Sequence, residues 1–300
     1  MIAPFSLRIF VADGDPDGLR IVEKSNWIGK ALVFPRALLP QVKVRPELAQ
    51  TGVYLLLGPR PDGEGEMLYV GEGDPILPRL QDHQAKKDFW TRAIGFTTAT
   101  AGQLNKAHVQ FLEARLIALA RAAKRMPLDN ANQPTEPSLS EADRADMEVF
   151  LAHMLGVLPV LGVHAFEQAP TVAVPLATPG QPALAAPTLL YCRGKGVEAT
   201  GYESTQGFVV RKGSQAVTEV VPSLESNKPA RLAHREDLVE RGVVVLDGAS
   251  YRFTQDYVFS SPSVAATMVL GRSTNGRTKW KDALGRTLKE LQEAEAGSTS

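Results

Sequence analysis

The sequence contains very little cysteine, which excludes several classes of small, covalently stabilised protein. Its single cysteine, Cys192, can form neither an intrachain disulfide nor a cysteine-based metal cluster. One thiol in 300 residues is typical of proteins from a reducing compartment, because disulfides persist mainly in oxidising ones. We therefore expect Cys192 to be a small core residue rather than a nucleophile.

A net charge and a long apolar segment are also missing. The 33 basic and 33 acidic side chains cancel, so any binding to nucleic acid has to come from a local patch. No apolar run reaches the roughly 18–20 residues that span a bilayer. The N-terminal sequence MIAPFSLRIFVADGDPDG lacks the basic flank and apolar run of a signal peptide. These observations predict a cytoplasmic protein without a membrane partner.

The patterns that are present predict an α+β fold, because strands are followed by helices. Short apolar runs predict strands at 6–12, 31–34, 52–57, 67–71 and 92–100. The first two runs flank the turn DGDPDG and are expected to form a hairpin. Apolar residues at helical spacing predict helices at 76–86, 104–124 and 138–158, and Ser140 is placed to cap the last of these.

Composition divides the chain into two predicted domains. Residues 167–188 hold five prolines among small side chains, which is typical of a semi-rigid linker. The predicted segments are a strand extension at 1–49, a small mixed or antiparallel sheet flanked by helices at 50–165, a Pro/Ala-rich linker at 166–189, a second small α+β domain at 190–293 and a disordered tail at 294–300.

Several side chains capable of chemistry follow one another between residues 54 and 113. Tyr54 and Tyr69 occupy neighbouring predicted strands and can lie on one sheet face. Arg79 and His83 are four residues apart, so they project from the same side of a helix. Glu113 interrupts an otherwise apolar and basic helix. Taken singly, the tyrosines are typical of packing residues, and the other three are typical of solvated helix faces.

Taken in order, these residues resemble the GIY-YIG endonuclease family. The two tripeptide motifs stand as Gly52-Val53-Tyr54 and Tyr69-Val70-Gly71, with valine replacing isoleucine in each. The resemblance covers about residues 50–135 and continues through the side chains Arg79, His83, Glu113 and an asparagine that is either Asn130 or Asn132.

The resemblance implies hydrolysis of DNA phosphodiester bonds assisted by one Mg²⁺ or Mn²⁺ ion. Glu113 would be the metal ligand, since hard cations prefer carboxylate oxygens. Arg79 would hold the phosphate with its planar fork. Tyr54 would act as general base or position the attacking water, with Tyr69 supporting it. Because a phenol has a pKa near 10, the base role requires the metal or Arg79 to lower that pKa.

Two further residues have roles implied by the same resemblance. His83 would be either a proton shuttle or a substrate contact, and Gly71 would permit close backbone approach at the strand end. The other histidines, at positions 108, 153, 164 and 234, show no metal-ligand spacing. A monomer with one such site would cut one strand per encounter, and the sequence leaves the oligomeric state open.

Two basic clusters are candidate nucleic-acid contacts. Each lies beside aromatic residues, an arrangement that suits phosphate contacts and base stacking. Phe89 and Trp90 are expected to be core residues, whereas Trp280 has core and binding interpretations of equal weight. The cationic members are Lys86, Lys87 and Arg92 in the first cluster, and Arg272, Arg277, Lys279 and Lys281 in the second.

The C-terminal region contains the segments FVVRKGSQA, YRFTQDYVFSSPSVAATMVLGRSTNGRTKWK and GRTL. With these segments, residues 190–290 resemble a domain of the DUF4357 type, which often follows nuclease modules. Together the two resemblances predict a metal-dependent DNA endonuclease, a hydrolase acting on ester bonds, with a C-terminal recognition module. RNA is an alternative substrate. The alternative function is a catalytically inactive nucleic-acid-binding or protein-interaction protein on the same fold.

Overall fold

The computed structural model describes residues 4–60, 65–167, 187–222 and 229–297. The chain forms two compact units, Met1–Glu167 and Gln168–Ser300. Both contain antiparallel sheets and helices, which confirms the predicted α+β class. Most of the predicted linker, and residues 61–64 of the loop between the two tyrosine-bearing strands, lie outside the described residues.

The first unit is built on one six-stranded antiparallel sheet of order β1-β2-β3-β6-β4-β5. Its strands are β1 Leu7–Val11, β2 Arg20–Lys24, β3 Gly29–Pro35, β4 Gly52–Pro59, β5 Glu66–Gly73 and β6 Arg92–Thr98. Its helices are α1 Leu39–Val42, α2 Ile76–Lys86, α3 Lys106–Ala123 and α4 Glu141–Val157, with 3-10 turns at Arg36–Leu38, Pro46–Ala49 and Leu158–Leu161.

The N-terminal hairpin differs from the predicted one. β1 pairs with β2, and β3 then pairs with β2 and β6, so the predicted partner strands at 6–12 and 31–34 are not neighbours. The missed strand β2 has the sequence RIVEK, in which charged ends leave only two consecutive apolar residues and a weak periodic signal. Through β3 and β6, the N-terminal segment becomes part of the same sheet as the tyrosine-bearing strands.

Helix capping follows the local sequence. Asn105 caps α3 by accepting a hydrogen bond from the His108 N–H at 2.9 Å. Ser140 caps α4 by accepting one from the Asp143 N–H at 3.0 Å, as the sequence predicts.

Strand β4 lies at the centre of the core, since its side chains are buried on both faces of the sheet. Val53, Leu55 and Leu57 belong to one apolar cluster, together with residues of α3 and α4. Tyr54 and Leu56 belong to a second cluster, together with residues of α1, α2 and Trp90. Helices α2 and α3 therefore cover opposite faces of the sheet, and β5 is the edge strand that separates them.

The second unit contains two smaller sheets, of order β13-β9-β8-β7 and β10-β12-β11. Its strands are β7 Leu190–Gly194, β8 Val197–Ser204, β9 Gly207–Val210, β10 Gln215–Val217, β11 Val244–Asp247, β12 Ser250–Phe253 and β13 Tyr257–Phe259. Its described helices are α5 Pro229–Glu240, α6 Pro262–Leu270, α7 Gly276–Lys279 and α8 Leu288–Gly297. Helix α8 includes residues 294–297, where the sequence predicts a disordered tail, and 298–300 lie outside the described residues.

Both residues whose role in the second unit was in question lie in its core. The Trp280 side chain is 0% exposed, packs on Phe208 with 4.5 Å between ring centroids, and donates a hydrogen bond from Nε1 to the Pro262 carbonyl at 3.0 Å. Cys192 is also buried, and burial raises the pKa of its thiol to about 12. Trp280 is therefore not a base-stacking residue, and the Cys192 thiol is neutral at physiological pH.

Among the described residues, every helix is too short or too polar to cross a membrane.

Candidate active site

Tyr54 occupies space that Gly71 leaves beside it. In the sheet it lies opposite Gly71 of β5 and Gly95 of β6. A Cβ atom on Gly71 would be 2.4 Å from Tyr54 Oη, which is far inside van der Waals contact. Gly71 thus makes room for the tyrosine ring, whereas the family resemblance implies that it permits close backbone approach at the strand end. The result is a fully buried phenol that reaches towards the edge strand.

Tyr69 lies diagonally across from Tyr54 on the same sheet face, because it pairs with Leu56, two residues beyond Tyr54. The two ring centroids are 6.3 Å apart, with their planes tilted by 33°. Tyr69 is partly exposed, and the Lys87 ammonium lies 4.5 Å from its ring centroid. The sheet therefore presents one buried and one accessible phenol side by side.

Helix α2 carries Arg79 and His83 to these tyrosines. Ile76 and Leu80 anchor the helix in the core on the Tyr54 side of the sheet. His83 is 6% exposed, and its Nε2 is 2.8 Å from Tyr54 Oη, a hydrogen bond whose direction depends on the histidine tautomer. Arg79 is exposed, and its positive charge acts on the Tyr54 phenol.

Glu113 approaches from α3, on the other side of edge strand β5. Its charge acts on both Tyr69 and Arg79, and the charge of Glu72 in β5 acts on Glu113 in turn. The Glu72 side chain accepts two hydrogen bonds from Lys106 Nζ, at 2.6 and 2.8 Å. Glu72 is absent from the residues singled out in the sequence. Its position directly after the Tyr69-Val70-Gly71 motif is the signal that could have identified it.

The two phenols are held in their neutral form. Burial raises the pKa of Tyr54 well above its ordinary value of 10, and Tyr69 raises it further, while Arg79 opposes both effects. Burial followed by the charge of Glu113 raises the pKa of Tyr69, again against Arg79. Arg79 does not lower the pKa of Tyr54 enough for the phenol to act alone as a base at neutral pH.

His83 and Glu113 have pKa values that depart from the ordinary in opposite directions. Burial, then Lys87 and Arg79, lower the pKa of His83 to about 4, so the imidazole is neutral at pH 7. Burial, then the charge of Glu72, raise the pKa of Glu113 to about 7, although Arg79 and Lys106 oppose this. Groups with such perturbed pKa values are enriched at functional sites.

The two candidate asparagines have different environments. Asn130 accepts a hydrogen bond from the Val70 N–H at 2.9 Å and donates one to the Val70 carbonyl at 2.8 Å. Its side chain thereby extends the edge of β5 immediately beside Tyr69. Asn132 is exposed. The structure thus gives Asn130 a positioning contact with the Tyr69 strand and places Asn132 in solvent.

The first basic cluster is largely occupied by contacts within the protein. Lys86 pairs with Asp82 at 2.6 Å, and Lys87 pairs with Asp129. Arg92 donates a hydrogen bond to the Leu161 carbonyl at 3.0 Å. Trp90 is buried in the core, as the sequence predicts. Lys87 is the member that lies against the tyrosine site.

The second basic cluster lies at the surface of the second unit. Arg272, Arg277, Lys279 and Lys281 are all exposed. Arg277 donates a hydrogen bond to Gln292 at 2.8 Å. Lys279 and Lys281 line a groove with Tyr191 and Arg193.

The donor set at Glu113 suits a hard divalent cation that keeps most of its own water. The described residues contain no group of three or more His, Cys, Asp or Glu side chains placed to enclose a metal. Glu113 and Glu72 nevertheless place two carboxylates close enough for one charge to raise the pKa of the other. Mg²⁺ is usually held by one or two carboxylates together with water and substrate phosphate, so the residues present fit it.

Comparison with known proteins addresses the second unit. Residues 190–292 match the family model described as "Domain of unknown function (DUF4357)". No curated protein and no solved structure matches the chain. The family match lies outside residues 50–135, so the nuclease resemblance of that region stays a prediction. Residues 190–292 of this chain thus form a DUF4357 domain.

Proposed function

We propose that the chain is a metal-dependent endonuclease that hydrolyses phosphodiester bonds in DNA through the site at the edge of β5. The observation that carries the proposal is the convergence of Tyr54, Tyr69, Arg79, His83 and Glu113, which come from two strands and two helices. This combination consists of a buried phenol–imidazole hydrogen bond, an exposed guanidinium and a carboxylate with a raised pKa. Such a combination from separate elements is typical of functional sites.

Arg79 is the phosphate-binding group in this proposal. Its side chain is exposed, so a DNA phosphate can reach it, and its charge acts on Tyr54, which puts a bound phosphate close to the phenol. A guanidinium also offsets the negative charge that develops on the phosphate oxygens in the transition state. Lys87 lies against the Tyr69 ring on the same side, but its charge is paired with Asp129.

Tyr54 and His83 accept the proton of the attacking water in a two-step transfer. In the tautomer protonated at Nδ1, neutral His83 accepts the Tyr54 hydroxyl proton at Nε2 across 2.8 Å. The oxygen of the water bonds to phosphorus and the bond to the leaving oxygen breaks. Tyr54 is buried in the structure, so this step requires substrate binding to open a path to its hydroxyl; the water proton then passes to Tyr54 Oη as Tyr54 passes its own proton to Nε2. The relay removes the need for a free phenolate, which the raised pKa of Tyr54 makes inaccessible.

Glu113 would hold Mg²⁺ or Mn²⁺, with Glu72 as the neighbouring carboxylate. When bound, the ion would polarise the phosphate and stabilise the leaving oxygen. The DUF4357 domain would contribute nucleic-acid recognition, since Lys86, Lys87 and Arg92, the basic cluster of the first unit, are engaged in contacts within the protein.

A plasmid-nicking assay with Mg²⁺ or Mn²⁺ tests the proposal. We expect Glu113→Gln and Arg79→Ala each to lower the cleavage rate about 10²–10³-fold, as removal of a transition-state contact does elsewhere. Arg8→Ala is a matched control, because this arginine lies on β1 and its side chain is 83% exposed. Cleavage that survives both site substitutions would refute the site assignment.

The same assay separates the alternative functions. If the wild type cuts no DNA but binds DNA in a salt-dependent way, the result would favour a non-catalytic nucleic-acid-binding protein on this fold. Neither cleavage nor binding on several forms of DNA and RNA would favour a protein-interaction function.

A further inference from the structure

A groove on the outer face of β7 in the DUF4357 domain combines three cations with an aromatic ring. Its volume is about 380 Å³, and its lining includes Tyr191, Arg193, Lys279, Lys281 and Asp282. This volume lies within the roughly 300–1,000 Å³ range of small-molecule sites. The groove is large enough to hold a nucleotide-sized group.

Sheet geometry fixes the direction of these side chains. Along β7, Leu190 and Cys192 are buried, so Tyr191 and Arg193 lie on the outer face. The Tyr191 N–H donates to the Lys281 carbonyl at 2.7 Å, and the Lys281 N–H donates to the Tyr191 carbonyl at 3.0 Å. Residues that exchange both bonds are directly opposite and share a face, which places Lys281 beside Tyr191.

Rigid contacts hold the groove in place. Buried Trp280, next to Lys281 in the chain, anchors that wall of the groove in the core. On the opposite wall, the Arg193 guanidinium lies 5.2 Å from the centroid of the Tyr191 ring. The groove is thus preorganised, which reduces the ordering cost of binding.

The charges in the groove leave it positive in a chain with no net charge. Asp282 is 8% exposed, and its carboxylate accepts hydrogen bonds from Arg286 Nε at 2.8 Å and from the Leu284 N–H at 3.0 Å. Arg193 pairs with Glu198 at 2.6 Å at an exposed position, where such pairs are weak. Within the part of the chain that the structure describes, no carboxylate lies within salt-bridge distance of Lys279 or Lys281.

We propose that this groove binds a single strand of nucleic acid, with phosphates on Lys279 and Lys281 and a base against Tyr191. Cations along a groove follow the backbone of an unpaired strand, and an aromatic side chain stacks on its free bases. The bases of a duplex are already stacked, so they cannot reach Tyr191. An acidic peptide would use the two lysines but would not use the Tyr191 ring for base stacking. The inference rests on the proposed function only in taking nucleic acid as the ligand.

Fluorescence anisotropy of a labelled oligothymidylate, with the full chain in EDTA, tests this inference without cleavage. We expect Lys279→Gln with Lys281→Gln to reduce the slope of log K against log salt by about 1.4, because each phosphate contact on a single strand contributes about 0.7. Lys212→Gln, on an exposed turn of the same unit, is the control and should change the slope by much less. Tyr191→Leu should weaken binding roughly tenfold, and Tyr191→Phe, which keeps the ring, should not.

Several outcomes would overturn the inference. The inference fails if the double substitution of Lys279 and Lys281 changes the salt slope no more than Lys212→Gln does. It also fails if Tyr191→Leu and Tyr191→Phe bind the oligonucleotide equally well. Competition by poly-glutamate as strong as that by the oligonucleotide would indicate an acidic protein partner instead. If Tyr191→Leu fails to fold, the lysine substitutions still decide the question.

The two proposals fail separately. If the wild type cuts no DNA but the groove variants lose oligonucleotide binding, the endonuclease proposal fails and the groove assignment holds. If the wild type cuts DNA but the groove variants bind as it does, the groove assignment fails.

Discussion

Replacing Glu113 with glutamine should stabilise the protein at pH 8 and leave its stability nearly unchanged at pH 4. In the folded chain, burial and the charge of Glu72 raise the pKa of this carboxyl from 4.5 to about 7. The folded state therefore holds the proton more tightly than the unfolded state. The resulting destabilisation is absent below pH 4.5, grows between pH 4.5 and 7, and is complete above pH 7.

The size of the effect follows from the change in pKa. A rise from 4.5 to about 7 corresponds to about 3 kcal/mol at full strength, because a tenfold change in proton affinity is about 1.4 kcal/mol. Glu113 is partly exposed, and solvent screening reduces this value, so we expect a gain of about 1–2 kcal/mol in the free energy of unfolding at pH 8.

Urea unfolding of the wild type and of Glu113→Gln between pH 4 and 8.5, followed by circular dichroism, measures this gain. Asp146→Asn is the matched control, since it removes an exposed carboxylate from α4 of the same unit. A difference between wild type and Glu113→Gln that is constant with pH, or a variant less stable than wild type at pH 8, would refute the reasoning.

The same variant tests the cation site without measuring cleavage. If Glu113 holds Mg²⁺, the ion displaces the proton, so Mg²⁺ should raise the melting temperature of the wild type more at pH 8 than at pH 6. It should have no such effect on Glu113→Gln. An equal shift in both proteins would place the binding elsewhere.

Two further predictions concern the elements that position the tyrosines. Gly71→Ala should lower the free energy of unfolding by about 1–3 kcal/mol, because its Cβ would lie 2.4 Å from Tyr54 Oη. Gly156→Ala in α4 is the control, because the nearest atom outside the helix backbone would be 3.9 Å from its Cβ. It should leave the free energy of unfolding unchanged or raise it, and thermal unfolding of both variants measures the difference. Asn130→Ala should cost about 1–3 kcal/mol, since it removes both hydrogen bonds to the edge of β5, whereas Asn132→Ala at an exposed position should cost less than 0.5 kcal/mol. Equal costs for the two asparagines in urea unfolding would contradict the positioning role of Asn130.

Trp280 and Cys192 show what a local sequence pattern can and cannot predict about the role of a residue. A tryptophan between lysines predicts either a core residue or a stacking residue, because both uses need the same large ring. The choice depends on whether the fold provides a core site for the ring, and in this protein Phe208 and the Pro262 carbonyl provide the contacts of a core residue. For the thiol, composition alone favours a core residue, and the structure places it there.

Local chemistry in the sequence by itself determined the α+β class, the capping of α4 by Ser140 and the position of α6 between a Ser-Pro start and a final glycine. These features depend on neighbours a few residues apart, so they are visible in the chain. Other features depend on residues that are distant in sequence. These are the partner of β1, the raised pKa of Tyr54, the proximity of Glu72 to Glu113 and the groove beside Tyr191. Strand register and burial decide those contacts, and both are set only when the whole sheet and its helices pack together.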